Sequence, residues 1–219
     1  MLLILASTSP RRREILALLG LPFEVIAPRF EEIIASHRSG EDQVLEFALE
    51  KARSVAGQHP EDVIIGSDTM IALGGDKFGK PVSLEDAGRM LRTLAGKRHR
   101  ILTSVVILDG SGGPGLRMVE EVSVVMRAFT DEDIARYLFC GESLDKAGAY
   151  SIQGEGSRLI ESIEGDYLAA VGLPLRPIAR YLAQRGIAFP LDIDRLYAQK
   201  SFCNWRDFEP GRLTGSRGR

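Results

Sequence analysis

Leu2-Leu3-Ile4-Leu5-Ala6-Ser7-Thr8-Ser9-Pro10-Arg11-Arg12-Arg13-Glu14-Ile15-Leu16 opens the chain. The apolar run before Ser7 has the length of a buried strand. Ser9 is a good N-cap and Pro10 a good first helical residue, so a helix begins there. Arg11, Arg12 and Arg13 then crowd its first turn. A helix N-terminus already carries partial positive charge and free N–H groups, so cations there cost stability unless an anion is bound nearby. The simplest reason to keep them is a polyanionic ligand, a phosphate chain above all. The helix spans 9–19 and stops at Gly20, with the apolar stripe Ile15, Leu16 and Leu19. Projected back three and four residues, that stripe reaches Arg12, which leans inward at the helix mouth while Arg11 and Arg13 fan to either side.

Outward from this opening, the pattern alternates. Residues 21–26 read as a strand and 42–56 as a helix with the stripe Val44, Phe47, Ala48, Lys51 and Val55. Residues 63–65 read as a strand that breaks at Gly66-Ser67-Asp68-Thr69, resumes at 70–73 and turns at Gly74-Gly75. Ser83 caps a helix closed by Gly96, and 101–108 with 116–129 read as a long hairpin around the loop 109–115. Thr130 and Asp133 form a capping box for a helix to about Phe139. Residues 159–173 alternate short strand signals around a Gly165-Asp166 turn, and 175–184 are helical. The expected fold is α/β, with helices flanking a mixed sheet. Residues 196–205 pack as a helix or lie across the surface, and the basic, glycine-bearing 211–219 are expected to be disordered.

Composition sets bounds on function. The chain has 219 residues, 44% hydrophobic and 26% charged, enough for one substantial core or two small lobes on a shared sheet. A net charge of −2 excludes a polycation built for nucleic acid polymers. Cys140 and Cys203 make neither a disulfide framework nor a zinc spacing, and a reducing compartment fits them. The N-terminal apolar run is too short for a signal peptide or a membrane span, so a cytoplasmic protein with no membrane partner is expected.

Several residues could carry chemistry. A carboxylate at Asp68, flanked by Ile64, Ile65, Met70 and Ile71, is costly in a core unless it is paired or binds a metal; the alternative is a capped turn in which it bonds its own backbone. Lys51 in an apolar stripe either snorkels outward or serves a buried partner. Lys80, Glu31, Glu32 and Gln153 read as turn or surface residues on their own, and His37, His59 and His99 as surface residues without ligand spacing. Taken together, an anion-friendly helix mouth, inward-leaning cations and an acid could hold a triphosphate and a divalent metal and activate a water.

Leu5-Ala6-Ser7-Thr8-Ser9-Pro10-Arg11-Arg12, Glu50-Lys51-Ala52, Gly66-Ser67-Asp68-Thr69, Gly79-Lys80-Pro81, Asp145-Lys146-Ala147-Gly148-Ala149-Tyr150, Ile152-Gln153-Gly154 and Val171-Gly172-Leu173-Pro174-Leu175 follow one another in order. Together they resemble the Maf-like nucleoside triphosphate pyrophosphatases over roughly residues 2–185. The resemblance implies a two-lobed mixed β-sheet flanked by helices, with the active-site cleft between the lobes. It implies a domain over 1–186, followed by a C-terminal extension over 187–219 that is partly disordered. It also implies hydrolysis of a nucleoside triphosphate between its α- and β-phosphates, with a divalent cation, Mg2+ or Mn2+. Asp68 then matches the proton acceptor, Ser7, Arg12, Lys51 and Lys80 the phosphate site, and Glu32 with Asp68 the metal site, Glu32 being chosen over Glu31 on a loose local match. Arg11, Thr69 and Gln153 match the positions of the subfamily acting on dTTP and UTP; a second subfamily, acting on 7-methyl-GTP, has an aromatic residue, glutamine and glutamate there. A homodimer is compatible with this picture. The other readings are a nucleotide-binding regulator of cell division with weak catalysis, and a pyrophosphatase for modified nucleotides.

Overall fold

The computed structural model describes residues 1–110 and 115–208. Strand β1 (Leu3–Ala6) lies between β2 (Glu24–Ile26) and β3 (Val63–Leu73) and is parallel to both. Short β4 (Asp76–Phe78) folds back on the far end of β3. Beyond β3 the sheet continues antiparallel through β5 (Arg98–Asp109), β6 (Arg117–Met126) and β7 (Ile160–Glu164). The result is a mixed seven-stranded sheet in an α/β fold.

Side-chain alternation along the strands divides the core between two faces. On one face, Leu3, Leu5, Val63 and Ile65 meet Ile15 and Leu16 of α1 (Pro10–Ala17). On the other, Ile4, Ala6 and Ile64 meet Ala52 and Val55 of α2 (Gly40–Ala56), and Met70, Ala72 and Leu102 meet its Val44 and Phe47. Helices α3 (Leu84–Leu94), α4 (Asp131–Phe139), α5 (Tyr167–Val171), α6 (Leu175–Gln184) and α7 (Ile193–Gln199) all join the larger core with α1. The β1–α1–β2 connection therefore runs outward from β1 over one face, and the β2–α2–β3 connection returns past β1 over the other, after which the sheet grows on the opposite side. The carboxyl end of β1 is a topological switch point, where α/β sheets open a crevice.

The chain path corrects several expectations. β3 does not break at Gly66-Ser67-Asp68-Thr69; it runs unbroken from Val63 to Leu73, with Asp68 in register with Ser104 and Thr69 with Thr103. Of the two readings of Asp68 the capped turn falls, because pairing with β5 overrides four turn-prone residue types, and the paired carboxylate stands, with Lys51 as its partner. Gly66 marks a close approach instead: a Cβ there would stand 2.1 Å from the Ala48 carbonyl oxygen of α2. Residues 167–171 are helical rather than extended, since Asp166 accepts from the Leu168 and Ala169 amides as an N-cap. His99 is buried, not on the surface, with Nε2 2.7 Å from the Tyr150 hydroxyl, and desolvation lowers its pKa to about 4. Leu196 and Trp205 are buried in the main core. The loop positions 111–114 and the tail 209–219, which takes in the stretch expected to be disordered, lie outside the described residues. Among the described residues, no helix is long and apolar enough to cross a membrane.

The contact at Gly66 sets the spacing between β3 and α2. Gly66→Ala is expected to destabilise the fold by about 2 kcal/mol, as overpacking does. A urea midpoint unchanged from wild type would show that the two elements are not held at contact.

Candidate active site

A cleft of about 580 Å³ opens at the carboxyl end of β1. Its origin lies in strand pairing. One edge of β3 is paired with β5 throughout, whereas the other is paired with β1 only up to Gly66 and with β4 only from Ile71 onward. Between those two strands, Ser67, Asp68, Thr69 and Met70 present an edge without a neighbouring strand. Side chains from both faces of β3 can reach that gap.

Asp68 points to the face of α2, where Lys51 Nζ makes a buried ion pair with Asp68 Oδ1 and a second pair, at 2.5 Å, with Glu32 Oε1. The Lys51 side chain is only 7% exposed. It does not snorkel; its ammonium bridges the buried Asp68 carboxylate and the partly exposed Glu32 carboxylate. Glu32 is therefore the carboxylate that pairs with Lys51 and lines the cleft, and Glu31 does not line it. Burial pushes the Asp68 carboxyl above its ordinary value, Lys51 opposes this, and the nearby Glu32 charge adds to it. Glu32 is also desolvated, but Lys51, Lys80 and Arg12 together hold it below the ordinary glutamate range.

The opposite face of β3 holds the arginine. Arg12 Nε donates to the Gly172 carbonyl at 2.9 Å, and its two terminal nitrogens donate to Ser7 Oγ at 3.4 Å and Thr69 Oγ1 at 3.1 Å. Ser67 Oγ donates to the same Gly172 carbonyl at 3.1 Å. Gly172 adopts φ 135°, a conformation that L side chains rarely take. Burial lowers the Arg12 pKa, against the attraction of Asp68 and Glu32. Arg11 lies to one side of Arg12 and stays in the cleft: its guanidinium reaches Ser151 Oγ at 2.9 Å, and the Gln153 backbone amide donates to that same oxygen at 3.1 Å. Arg13 is exposed and does not line the cleft.

Every residue singled out from the sequence for the site, Ser7, Arg11, Arg12, Glu32, Lys51, Asp68, Thr69, Lys80 and Gln153, lines this one cleft. The structure adds others. Glu32 sits on an irregular loop whose hold comes from Gln43 and Lys77. Gln43 accepts from the Ala35 amide at 3.2 Å and donates to the Ile33 carbonyl at 3.0 Å. Lys77 Nζ donates to the carbonyls of Ala35 and Arg38 and to Gln43 Oε1. Phe30 of the same loop packs on Phe47, with ring centroids 5.4 Å apart. Lys146 lines the far wall. No periodicity marks Gln43 or Lys77, because their partners are carbonyls of an irregular loop. Gly172 and Lys146 were visible only as members of longer motifs.

Among the described residues there is no group of three or more His, Cys, Asp or Glu that could cage a metal. Two carboxylates beside an open, cationic cleft do suit a hard cation such as Mg2+, which completes its shell with phosphate oxygens and water.

The sequence profile described as Maf-like protein matches residues 2–185. A "dTTP/UTP pyrophosphatase" of Moorella thermoacetica is 43% identical over 185 residues, covering 84% of this chain and 95% of that protein. Proteins of the same name from Bacillus mycoides and Bacillus cereus are 41% and 39% identical, covering 83% and 87% of this chain and 94% and 97% of their own. Among solved structures, the Ham1 protein of Staphylococcus aureus overlays with a TM-score of 0.43 and 14% identity, over 74% of this chain and 81% of that one. With the profile running from the first strand to the end of α6, and relatives near 40% identity along almost their whole length, the chain belongs to the Maf-like protein family.

Proposed function

We propose that this chain hydrolyses dTTP and UTP between the α- and β-phosphates, releasing the nucleoside monophosphate and pyrophosphate. The observation that carries the reading is the shared cleft of Arg12, Lys51 and Lys80 with a buried Asp68. The relatives' names supply the substrate class. Arg12, Lys51 and Lys80 neutralise the phosphate chain, with Ser7 beside them. Positive charge fixed in advance favours the step in which negative charge moves onto the departing pyrophosphate. Asp68 accepts the proton of the attacking water. Glu32 and Asp68 would hold a divalent cation, Mg2+ or Mn2+, which when bound neutralises phosphate charge and makes water more acidic.

The nucleobase end of the cleft is formed by Arg11 and Gln153, joined through Ser151. An amide side chain offers both donor and acceptor to a pyrimidine edge. Thr69 acts differently. Thr103 Oγ1 gives its only proton to the Ala169 carbonyl at 2.8 Å, so at the 3.2 Å contact between the two threonines Thr69 is the donor. Its lone pairs face Arg12, and its influence on substrate choice runs through the orientation of that arginine. All these residues belong to one chain, so the reading requires no second copy. Cys140 and Cys203 are both exposed and free, which favours work in the cytoplasm.

A panel of triphosphates assayed for pyrophosphate release, with metal supplied, tests the reading. Release fastest from dTTP and UTP supports it, and tight binding without turnover would favour a regulator instead. Asp68→Asn is expected to cut kcat on the order of 10³-fold while circular dichroism shows an intact fold; near-wild-type kcat would remove Asp68 from the chemistry. Gln153→Glu should lower kcat/KM for UTP relative to GTP, because a carboxylate accepts from guanine N–H groups and cannot donate to a pyrimidine carbonyl; an unchanged ratio would take Gln153 out of base reading. Chelation by EDTA should abolish release, and Mg2+ or Mn2+ should restore it. Full turnover in EDTA would exclude the cation.

A further inference from the structure

The stretch matched to the family ends at residue 185, yet residues 187–208 are packed into the main core. Their strongest contacts converge on the start of α5. Trp205 stacks on Tyr167, with centroids 5.2 Å apart and planes 15° from parallel. Tyr197 meets the Trp205 ring edge-on at 5.0 Å, and the Arg176 guanidinium lies 3.9 Å from the Tyr197 ring centroid. The Tyr167 hydroxyl donates to the Cys203 carbonyl at 2.6 Å. The Tyr197 hydroxyl donates to Asp166 Oδ2 at 2.8 Å, while Asp166 Oδ1 accepts from the Leu168 and Ala169 amides at 2.8 and 3.3 Å. One carboxylate thus caps α5 and is tied down by the C-terminal extension.

At its other end, α5 holds the phosphate site. Gly172, which follows it, takes the Arg12 Nε and Ser67 Oγ bonds on a single carbonyl. The Ala169 carbonyl within it takes Thr103, which takes Thr69, which accepts from Arg12. Two of the three groups orienting the arginine therefore depend on where α5 lies. A five-residue helix has little stability of its own, since nucleation is costly and hardly any turns follow to offset it. Its position is set by what grips it.

We propose that Tyr197 and Trp205 are positioning residues for Arg12, acting through Asp166, Tyr167 and α5, so that a segment outside the family match tunes the phosphate grip of this chain. The inference rests on the pyrophosphatase reading in taking Arg12 as a phosphate ligand. Neither residue lines the cleft.

The test is a double-mutant cycle in the full chain on Y197F, R12K and their combination. Two quantities are read: calorimetric affinity for α,β-methylene dUTP, and kcat/KM for pyrophosphate release from dTTP. Tyr197→Phe keeps the ring contacts and removes only the bond to Asp166, and its melting temperature should stay within about 4 °C of wild type. It is expected to weaken both quantities about ten-fold when Arg12 is present and less than two-fold in the R12K background, since a misplaced arginine can no longer be the cause there. Trp205→Ala should show the same dependence on Arg12 with a larger loss. Equal losses in the two backgrounds, or no loss in either, would overturn the inference and leave the extension as packing alone. A wild type that neither binds the analogue nor releases pyrophosphate would instead refute the proposed function and take this inference with it.

Discussion

The ammonium of Lys51, held out of water between Asp68 and Glu32, is the constraint on which the remaining structure depends. Bringing a cation and a carboxylate into a protein interior, with a second carboxylate at its edge, costs several kcal/mol per buried ion unless the geometry compensates. Arg11, Arg12, Lys80 and Lys146 also line the cleft, against Glu14 and Asp145, so its cations outnumber its carboxylates before anything binds. That balance has structural requirements. Helix α2 must approach β3 closely, which Gly66 allows. The loop carrying Glu32 must be held against the same amine, and Gln43 and Lys77 do this from α2 and β4.

Alternation along β3 then gives its two faces different tasks. The face of Asp68 carries Lys51 between its two carboxylates. The face of Ser67 and Thr69 carries the arginine and its supports. In the middle of a sheet such neighbours would be separated by the backbone and by a paired strand. Here they share a cleft because β1 stops at Ala6 and β4 does not begin pairing until Ile71. The gap between two short strands on one long one is what lets a charged helix mouth, a buried carboxylate and an irregular loop converge.

Much of this was legible in the residues themselves. Ser9 and Pro10 announced α1, and Thr130 with Asp133 announced α4, because capping is a contact between near neighbours in sequence. The back-projected stripe of α1 located Arg12 on the inner side for the same reason. Asp68 was harder. Its carboxylate is recognisable as costly, but its secondary structure depends on pairing with Ser104 across the sheet, which no local pattern encodes. Residues 167–171 follow a Gly165-Asp166 turn signal, but Asp166 caps a helix there, and burial of all five residues hides the helical period. The supports Lys77, Thr103 and Ser151 carry no sequence signal because each reaches a group far away along the chain, and Gln43 carries none because its partners are backbone groups of an irregular loop.

The sequence by itself determined the class of fold, the short-range caps and stops, the anion-seeking character of the first helical turn and the set of residue types needed for phosphate chemistry. These follow from interactions spanning a few residues, or from motifs whose order and spacing are too many to coincide by chance. Only the tertiary structure decided that Lys51 faces inward to two carboxylates, that Glu32 rather than Glu31 is its partner, and that the C-terminal segment reaches α5. Those outcomes are fixed by strand register, desolvation and close packing between segments distant along the chain, which exist only once the sheet has formed.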